Sequence, residues 1–217
     1  MKKHALLAII SVLAAGIFAP LATAVSVSVR VEGKTRTIFG PTEPTLQVAS
    51  NALDALEAAA TAGEFYYHLA SGSYGSYVDQ IGLYPAAGSS GWVFKVNGVL
   101  PPVGADKVTL KDGDHVLWYW SSFDPVTFAA AKTLLLERSK LTRAELKLVR
   151  RTHKGRYCYR VLAQDDKGVT EAASGSVLQV GSRRAVRTKN GRACIGPHSG
   201  LLVRAAMTGA VRSNALA

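Results

Sequence analysis

The amino-acid sequence predicts an α+β fold, one helix on a mixed sheet, joined to a C-terminal all-β sandwich. Three observations carry this expectation. Val25 to Val31 (VSVSVRV) alternates with period two, the pattern of a half-buried strand. Thr45 to Ala62 places Leu46, Ala49, Leu53 and Leu56 at helical spacing and is the one confident helix after the N-terminus. From about residue 132 onward, short alternating segments are separated by turn residues, as in a two-sheet sandwich.

The elements follow in order. Lys2 and Lys3, the apolar run Ala5 to Phe18, Pro20 and the small-x-small site Ala22-Thr23-Ala24 read as an export signal over 1–24. That run is 14 residues long, short of the ~20 that span a bilayer. No second run of spanning length follows, so a secreted or extracytoplasmic protein, not an integral membrane one, is expected. After the first strand, Glu32-Gly33-Lys34 turns the chain and Thr35 to Phe39 returns as a hairpin partner. Gly40 to Pro44 is a loop. Thr45 is positioned to cap the helix and Gly63 to end it. Phe65 to Leu69 and Tyr74 to Ile81 are Tyr-rich strands. Trp92 to Val96 is a strand ending in the tight-turn pair Asn97-Gly98. Val108 to Leu110, the turn Asp112-Gly113 and His115 to Trp120 complete this unit, which spans 25–123. The boundary falls within Ser121 to Ala131. In the second unit, 132–217, strands are expected at Thr142 to Arg151, Tyr157 to Ala163, Ser176 to Val180, Arg183 to Arg187 and Leu201 to Ala206.

Charge separates the two units. Val25 to Asp124 holds 6 Lys/Arg against 10 Asp/Glu, whereas Pro125 to Ala217 holds 18 against 5. The basic half is therefore drawn to polyanions, which for an exported protein are envelope polymers and anionic lipid rather than nucleic acid. Cys158 and Cys194 both lie in that half and are expected to pair in an oxidising compartment.

Gly91-Trp92-Val93-Phe94-Lys95-Val96-Asn97-Gly98, followed by Val108-Thr109-Leu110-Lys111-Asp112-Gly113-Asp114, resembles the bacterial family of unknown function grouped with the transcobalamin C-terminal domain. The resemblance covers Val25 to about Phe123. It implies a β-grasp-like domain, extracellular use and no known catalysis. In transcobalamin the corresponding domain closes over cobalamin together with a helical barrel, which this chain lacks. Ala185 to Ser213 is more loosely similar to Ig-like or carboxypeptidase-regulatory-like repeats of bacterial surface proteins.

Few residues suggest catalysis. Asp112 and Asp114 flank a glycine, as in a turn, without the further oxygen ligands of a calcium loop. His68, His115, His153 and His198 are isolated, and no H-E-x-x-H, G-x-S-x-G or S-x-x-K occurs. The aromatic residues are the better candidates. Tyr66, Tyr67, Tyr74, Tyr77, Trp118, Tyr119 and Trp120 are the candidate ligand-binding residues, with Tyr84 and Trp92 nearby. On a strand Trp118 and Trp120 share one face while Leu117 and Tyr119 take the other. A single helix covers one face of the sheet, so some rings must look outward or onto the second unit. The expectation is a secreted, non-enzymatic protein presenting an aromatic surface to a small ligand or partner, with its basic unit near the anionic envelope. The alternatives are a corrinoid (cobalamin)-binding protein and an extracellular hydrolase. No metal is implied.

Overall fold

β1 (Val25–Glu32) forms where the sequence alternates and becomes the centre of a five-stranded mixed sheet. The computed structural model describes residues 24–72, 75–139 and 157–217. All of the expected leader but Ala24, Tyr74, and the strand expected over Thr142 to Arg151 lie outside the described residues. β2 (Thr37–Phe39) returns antiparallel on the end of β1, with Val31 opposite Phe39.

The next element corrects the sequence reading. Thr45 to Val48 is not the first turn of a helix but β3 (Thr45–Val48), antiparallel to the start of β1 with Val27 opposite Leu46. Alternation of Leu46 and Val48 toward the core, with ladder bonds to β1, prevails over the helical spacing in this stretch. The helix α1 (Ala52–Gly63) starts one turn later, and its cap is Asn51 rather than Thr45. Asn51 Oδ1 accepts the N–H groups of Leu53 and Asp54 at 2.9 Å each. Asp54 Oδ2 accepts the Asn51 N–H at 3.0 Å in return, closing a capping box. Ala52, Ala55, Leu56 and Ala59 form the buried face, small side chains that let the helix approach the sheet closely.

β4 (Tyr67–Gly72), β5 (Gly75–Ile81) and β6 (Tyr84–Pro85) make a separate three-stranded sheet, which sends Val78 and Ile81 into the core beneath α1. β7 (Ser90–Val96) then enters the main sheet. Asn97 and Gly98 follow with φ of 51° and 83°, the left-handed pair that a two-residue hairpin loop requires. After a short 3-10 turn at Ala105–Lys107, β8 (His115–Ser122) runs between its neighbours, antiparallel to β7 and parallel to β1. The order across this sheet is β2-β1-β8-β7, with β3 beside β2 along β1.

The second lobe is built of two sheets. β9 (Thr133–Arg138), β10 (Tyr157–Gln164), β11 (Thr170–Ala172) and β14 (Arg192–Ile195) form one. β12 (Val177–Val180), β13 (Arg183–Arg187) and β15 (Val203–Ala206) form the other. Leu134, Leu136, Tyr159, Val161, Leu178, Val203 and Ala205 close a core between them. Cys158 and Cys194 stand directly opposite on β10 and β14 and are disulfide-bonded, with 36 residues of sequence separation. In the chain-entropy model a loop of that length is worth about 3–4 kcal/mol. The molecule is thus mostly β, with α1 the one α-helix among the described residues. No described helix is long and apolar enough to cross a membrane.

Both faces of the main sheet are covered. Val27, Val29, Val31, Val116 and Trp118 pack beneath α1. On the opposite face Val93 and Tyr119 meet Val211, with Leu117, Phe123, Ala130 and Ala131 around them. Arg30 and Glu32, which alternation assigns to the polar side of β1, are fully buried there. The Glu32 carboxylate accepts from Arg204, from Arg212 Nε and Nη2 at 3.2 and 3.1 Å, and from Thr37 Oγ1 at 3.1 Å. Arg30 Nη1 lies 3.6 Å from Glu32 and donates to the Arg212 carbonyl at 2.8 Å. Its Nε is 3.1 Å from Glu43 but off-line for a hydrogen bond, so that contact is electrostatic. Lys95, also buried, donates to the carbonyls of Asp165 at 2.7 Å and Gln164 at 3.3 Å across the same junction.

Removing the charge from Glu32 while keeping its shape leaves three guanidinium groups without their common counter-charge. A Glu32→Gln variant is expected to lose about 3–5 kcal/mol in urea denaturation followed by tryptophan fluorescence. An unchanged midpoint would show that the lobes do not depend on this cluster.

Candidate functional site

The stretch Trp118-Tyr119-Trp120 divides its rings between three environments. Trp118 is only 3% exposed, stacks on Phe94 at 5.0 Å and donates its indole N–H to the Ala52 carbonyl at 3.2 Å. It is helix-side core. Tyr119 is 0% exposed, facing the second lobe with the Lys95 ammonium 5.8 Å from its ring centroid. Burial raises the pKa of its phenol well above the ordinary value. Neither ring can present itself to a ligand, which corrects their place among the candidates. Trp120 is half-buried and stays in reach of solvent.

Trp120 sits between Tyr84, at 6.4 Å, and Trp92, edge-on at 5.9 Å. This row needs Gly33. A Cβ there would fall 2.4 Å from Cε2 of Tyr84, whose hydroxyl pairs with Thr35 Oγ1 at 2.8 Å. Trp92 is pinned by donation from its indole N–H to the Tyr84 carbonyl at 2.8 Å.

On its solvent side Trp120 lines an open cleft of about 830 Å³ where the two lobes meet. Three segments distant in sequence build it: Gly33 and Lys34 from the β1–β2 turn, residues 120–132 from β8 into the connection, and residues 207–212 after β15. Small side chains, Ala129 to Ala131 and Ala210, leave the room that the indole borders. Of the four ionisable side chains on the wall, Lys34, Lys132 and Arg212 are cationic and Asp124 anionic. Asp124 Oδ1 is occupied by the N–H groups of Thr127 and Val126 at 2.7 and 3.0 Å, which hold its pKa below the usual carboxylate range. Those bonds stiffen a loop whose Phe128 is 77% exposed at φ 57°, a strained conformation for a bulky residue. Lys132 pairs with Glu171, and Arg212 is bound to Glu32. Lys34 is exposed and ion-pairs with no described residue.

A second cavity, of about 330 Å³, lies between β1, β8 and β9 and is lined by Arg30, Glu43, Lys95, His115 and Gln164 among others. Its cations are already committed to protein acceptors. Burial lowers the pKa of both Arg30 and Lys95 from their ordinary values.

The other candidate rings lie elsewhere. Tyr66 and Tyr77 are 59% and 55% exposed on the outer side of the β4–β5 hairpin, with His68, which pairs with Asp79 at 2.7 Å. Tyr67 faces inward and donates to Glu57 of α1. Tyr74 lies outside the described residues. The candidates therefore do not converge on one surface. Asp112 and Asp114 serve the fold: Asp112 accepts the Ser26 N–H at 2.7 Å, and Asp114 accepts Lys111 N–H and Asn97 Nδ2 at 2.8 Å each. No group of His, Cys, Asp and Glu able to hold a metal occurs among the described residues.

Lys34, Lys132, Arg212 and the alanine wall escaped the sequence reading. Its one available signal was the small-residue run Ala129-Ala130-Ala131 directly after an aromatic strand.

With this geometry in view, residues 49–122, from the helix cap to the end of β8, match the model of a family described as Domain of unknown function (DUF4430). None of the curated proteins matches the chain.

The Tyr67–Glu57 contact supplies a pH signature. Burial, then the hydrogen bond to Glu57, raises the Tyr67 pKa from its ordinary value to about 12. A pKa raised by folding stabilises fully below the unfolded value near ~10 and is lost as pH climbs through the folded one. Thermal melts are thus expected to fall between pH ~10 and ~12, less steeply in Tyr67→Phe, with Tyr119 and Tyr159, whose phenols are also raised by burial, contributing to the remaining slope. Identical slopes would refute the assignment.

Proposed function

We propose that this protein is an exported, non-enzymatic binding protein whose inter-lobe cleft receives a small ligand with an apolar face. The observation that carries this reading is Trp120: a half-buried indole, braced by Tyr84 and Trp92, on the wall of an 830 Å³ cleft. That volume falls within the range of small-molecule sites. Rigid bracing means that stacking a flat ligand on the indole costs little side-chain entropy. The first lobe is read as β-grasp-like from its helix packed on a mixed sheet with parallel β1 and β8, together with its resemblance to transcobalamin's C-terminal domain.

The second lobe is assigned to the anionic envelope. Arg160 and Arg192 stand opposite each other on β10 and β14, on exposed strand surface, with Glu137 of β9 opposite Arg160 and the exposed Arg138 next to it. These arginines add to the segregated positive charge of the sequence.

Titration with the neutral probe phenylnaphthylamine tests the cleft. Saturable binding at micromolar concentration is expected, with loss in Trp120→Leu; equal binding by the variant would remove the cleft from the account. Cobalamin titrated in parallel gives the corrinoid alternative its chance, and no saturable binding eliminates it. Co-sedimentation with cell-wall sacculi is expected and should weaken as salt rises; failure to sediment at low salt refutes the envelope assignment.

A further inference from the structure

We infer that the ligand of the Trp120 cleft is an amphipathic anion, a flat apolar body carrying one sulfonate, carboxylate or phosphate group. The inference rests on the cleft reading proposed above and adds the charge of the ligand to it.

Two observations point to negative charge, and Arg212 belongs to both. The first is the wall itself, where three of four ionisable groups are cationic and the single acid, Asp124, is spent on its own loop. Lys34 extends from the β1–β2 turn without a described partner, in reach of whatever occupies the space beside Trp120. The second lies behind the wall. The buried cluster sets three guanidinium groups, Arg30, Arg204 and Arg212, against two carboxylates, Glu32 and Glu43. One positive charge is left over in a cluster whose Arg30 and Glu32 are buried and whose Arg204, Arg212 and Glu43 are partly exposed. Arg212 is the member of the cluster that also lines the cleft, so the excess opens there. A surplus of positive charge at a half-buried position attracts an anion more strongly than the same charge in bulk water.

The apolar half of the ligand is set by the remaining lining residues. Trp120, Ala129 to Ala131, Met207 and Val211 offer a surface with few hydrogen-bonding side chains. The Phe128 loop carries that wall and is held by the Asp124 bonds, so the surface is fixed before the ligand arrives. Lys34 and Arg212 line the same cleft as the indole, so an anion attached to a ring bound there has cationic side chains on the same wall.

Two probes with the same ring skeleton separate the claims. Anilinonaphthalene sulfonate carries the anion, and phenylnaphthylamine lacks it. The full protein is expected to bind the sulfonate about tenfold more tightly, with affinity falling as salt shortens the Debye length. Lys34→Gln is expected to weaken the sulfonate about two- to fivefold and leave the neutral probe unchanged. Ala129→Phe, a change at an exposed position that fills the cleft without threatening the core, is expected to abolish both. Displacement of the dye by phosphatidylglycerol vesicles would assign the anion to a lipid headgroup, and displacement by free naphthoate to a soluble ligand; either supports the inference. Equal affinity for the two probes, or a salt-independent preference, overturns the inference while the cleft reading stands. Dye binding untouched by Ala129→Phe overturns both.

Discussion

The Glu32 carboxylate, buried between the two lobes, is the constraint on which the rest of this structure depends. It is the last residue of β1, and four donors from both lobes meet on it. Isolated burial of one carboxylate would cost several kcal/mol; surrounded by guanidinium groups, it becomes the reason that the lobes have one arrangement. Apolar contacts of the patch around Val93, Tyr119 and Val211 are not directional and orient the lobes less than hydrogen-bonded ion pairs do. The directional bonds of Arg204 and Arg212 fix the rotation.

From that constraint the cleft follows. Arg212 can reach Glu32 only if the segment after β15 lies across the β1–β2 turn, and its Nη2 also donates to the Gly33 carbonyl at 3.1 Å. Lys34 thereby lines one cleft together with Trp120 and the connection that follows β8. The aromatic row, the alanine wall and the cationic rim come from three separate parts of the chain, and the ion cluster holds them in register. The binding role proposed for this cleft rests on its shape, the indole and the cationic side chains on its wall.

Parts of this were legible in the sequence. Alternation in VSVSVRV located β1, Asn97-Gly98 located a hairpin turn, and Cys158 with Cys194 formed the disulfide expected of an oxidising compartment. The rest was hidden for physical reasons. Period-two patterning says that Arg30 and Glu32 share a face but not what covers it, and here a second lobe does. The same ambiguity affected Trp118 and Tyr119, one packed beneath the helix and one against the neighbouring lobe. Thr45 to Val48 read as helix because Leu46 fits both periods over so short a stretch, whereas the true cap, Asn51 with Asp54, lay a turn further on. β9 is a leucine-rich run with no alternation at all, since Leu134 and Leu136 face the sandwich core while Leu135 sits at the inter-lobe cavity. The cleft residues are unremarkable individually and gain meaning only from proximity.

A fixed arrangement of the lobes is a statement about distance, and pulsed electron-electron spin resonance reads distance directly. Spin labels introduced at the exposed positions Lys111 and Lys189, one in each lobe, should give a single narrow distribution that does not broaden as salt increases, because Glu32 and Arg30 at the centre of the ion cluster are buried. A broad distribution, or one that widens with salt, would mean that the lobes are only tethered and that the cleft between them is not a standing feature of the protein.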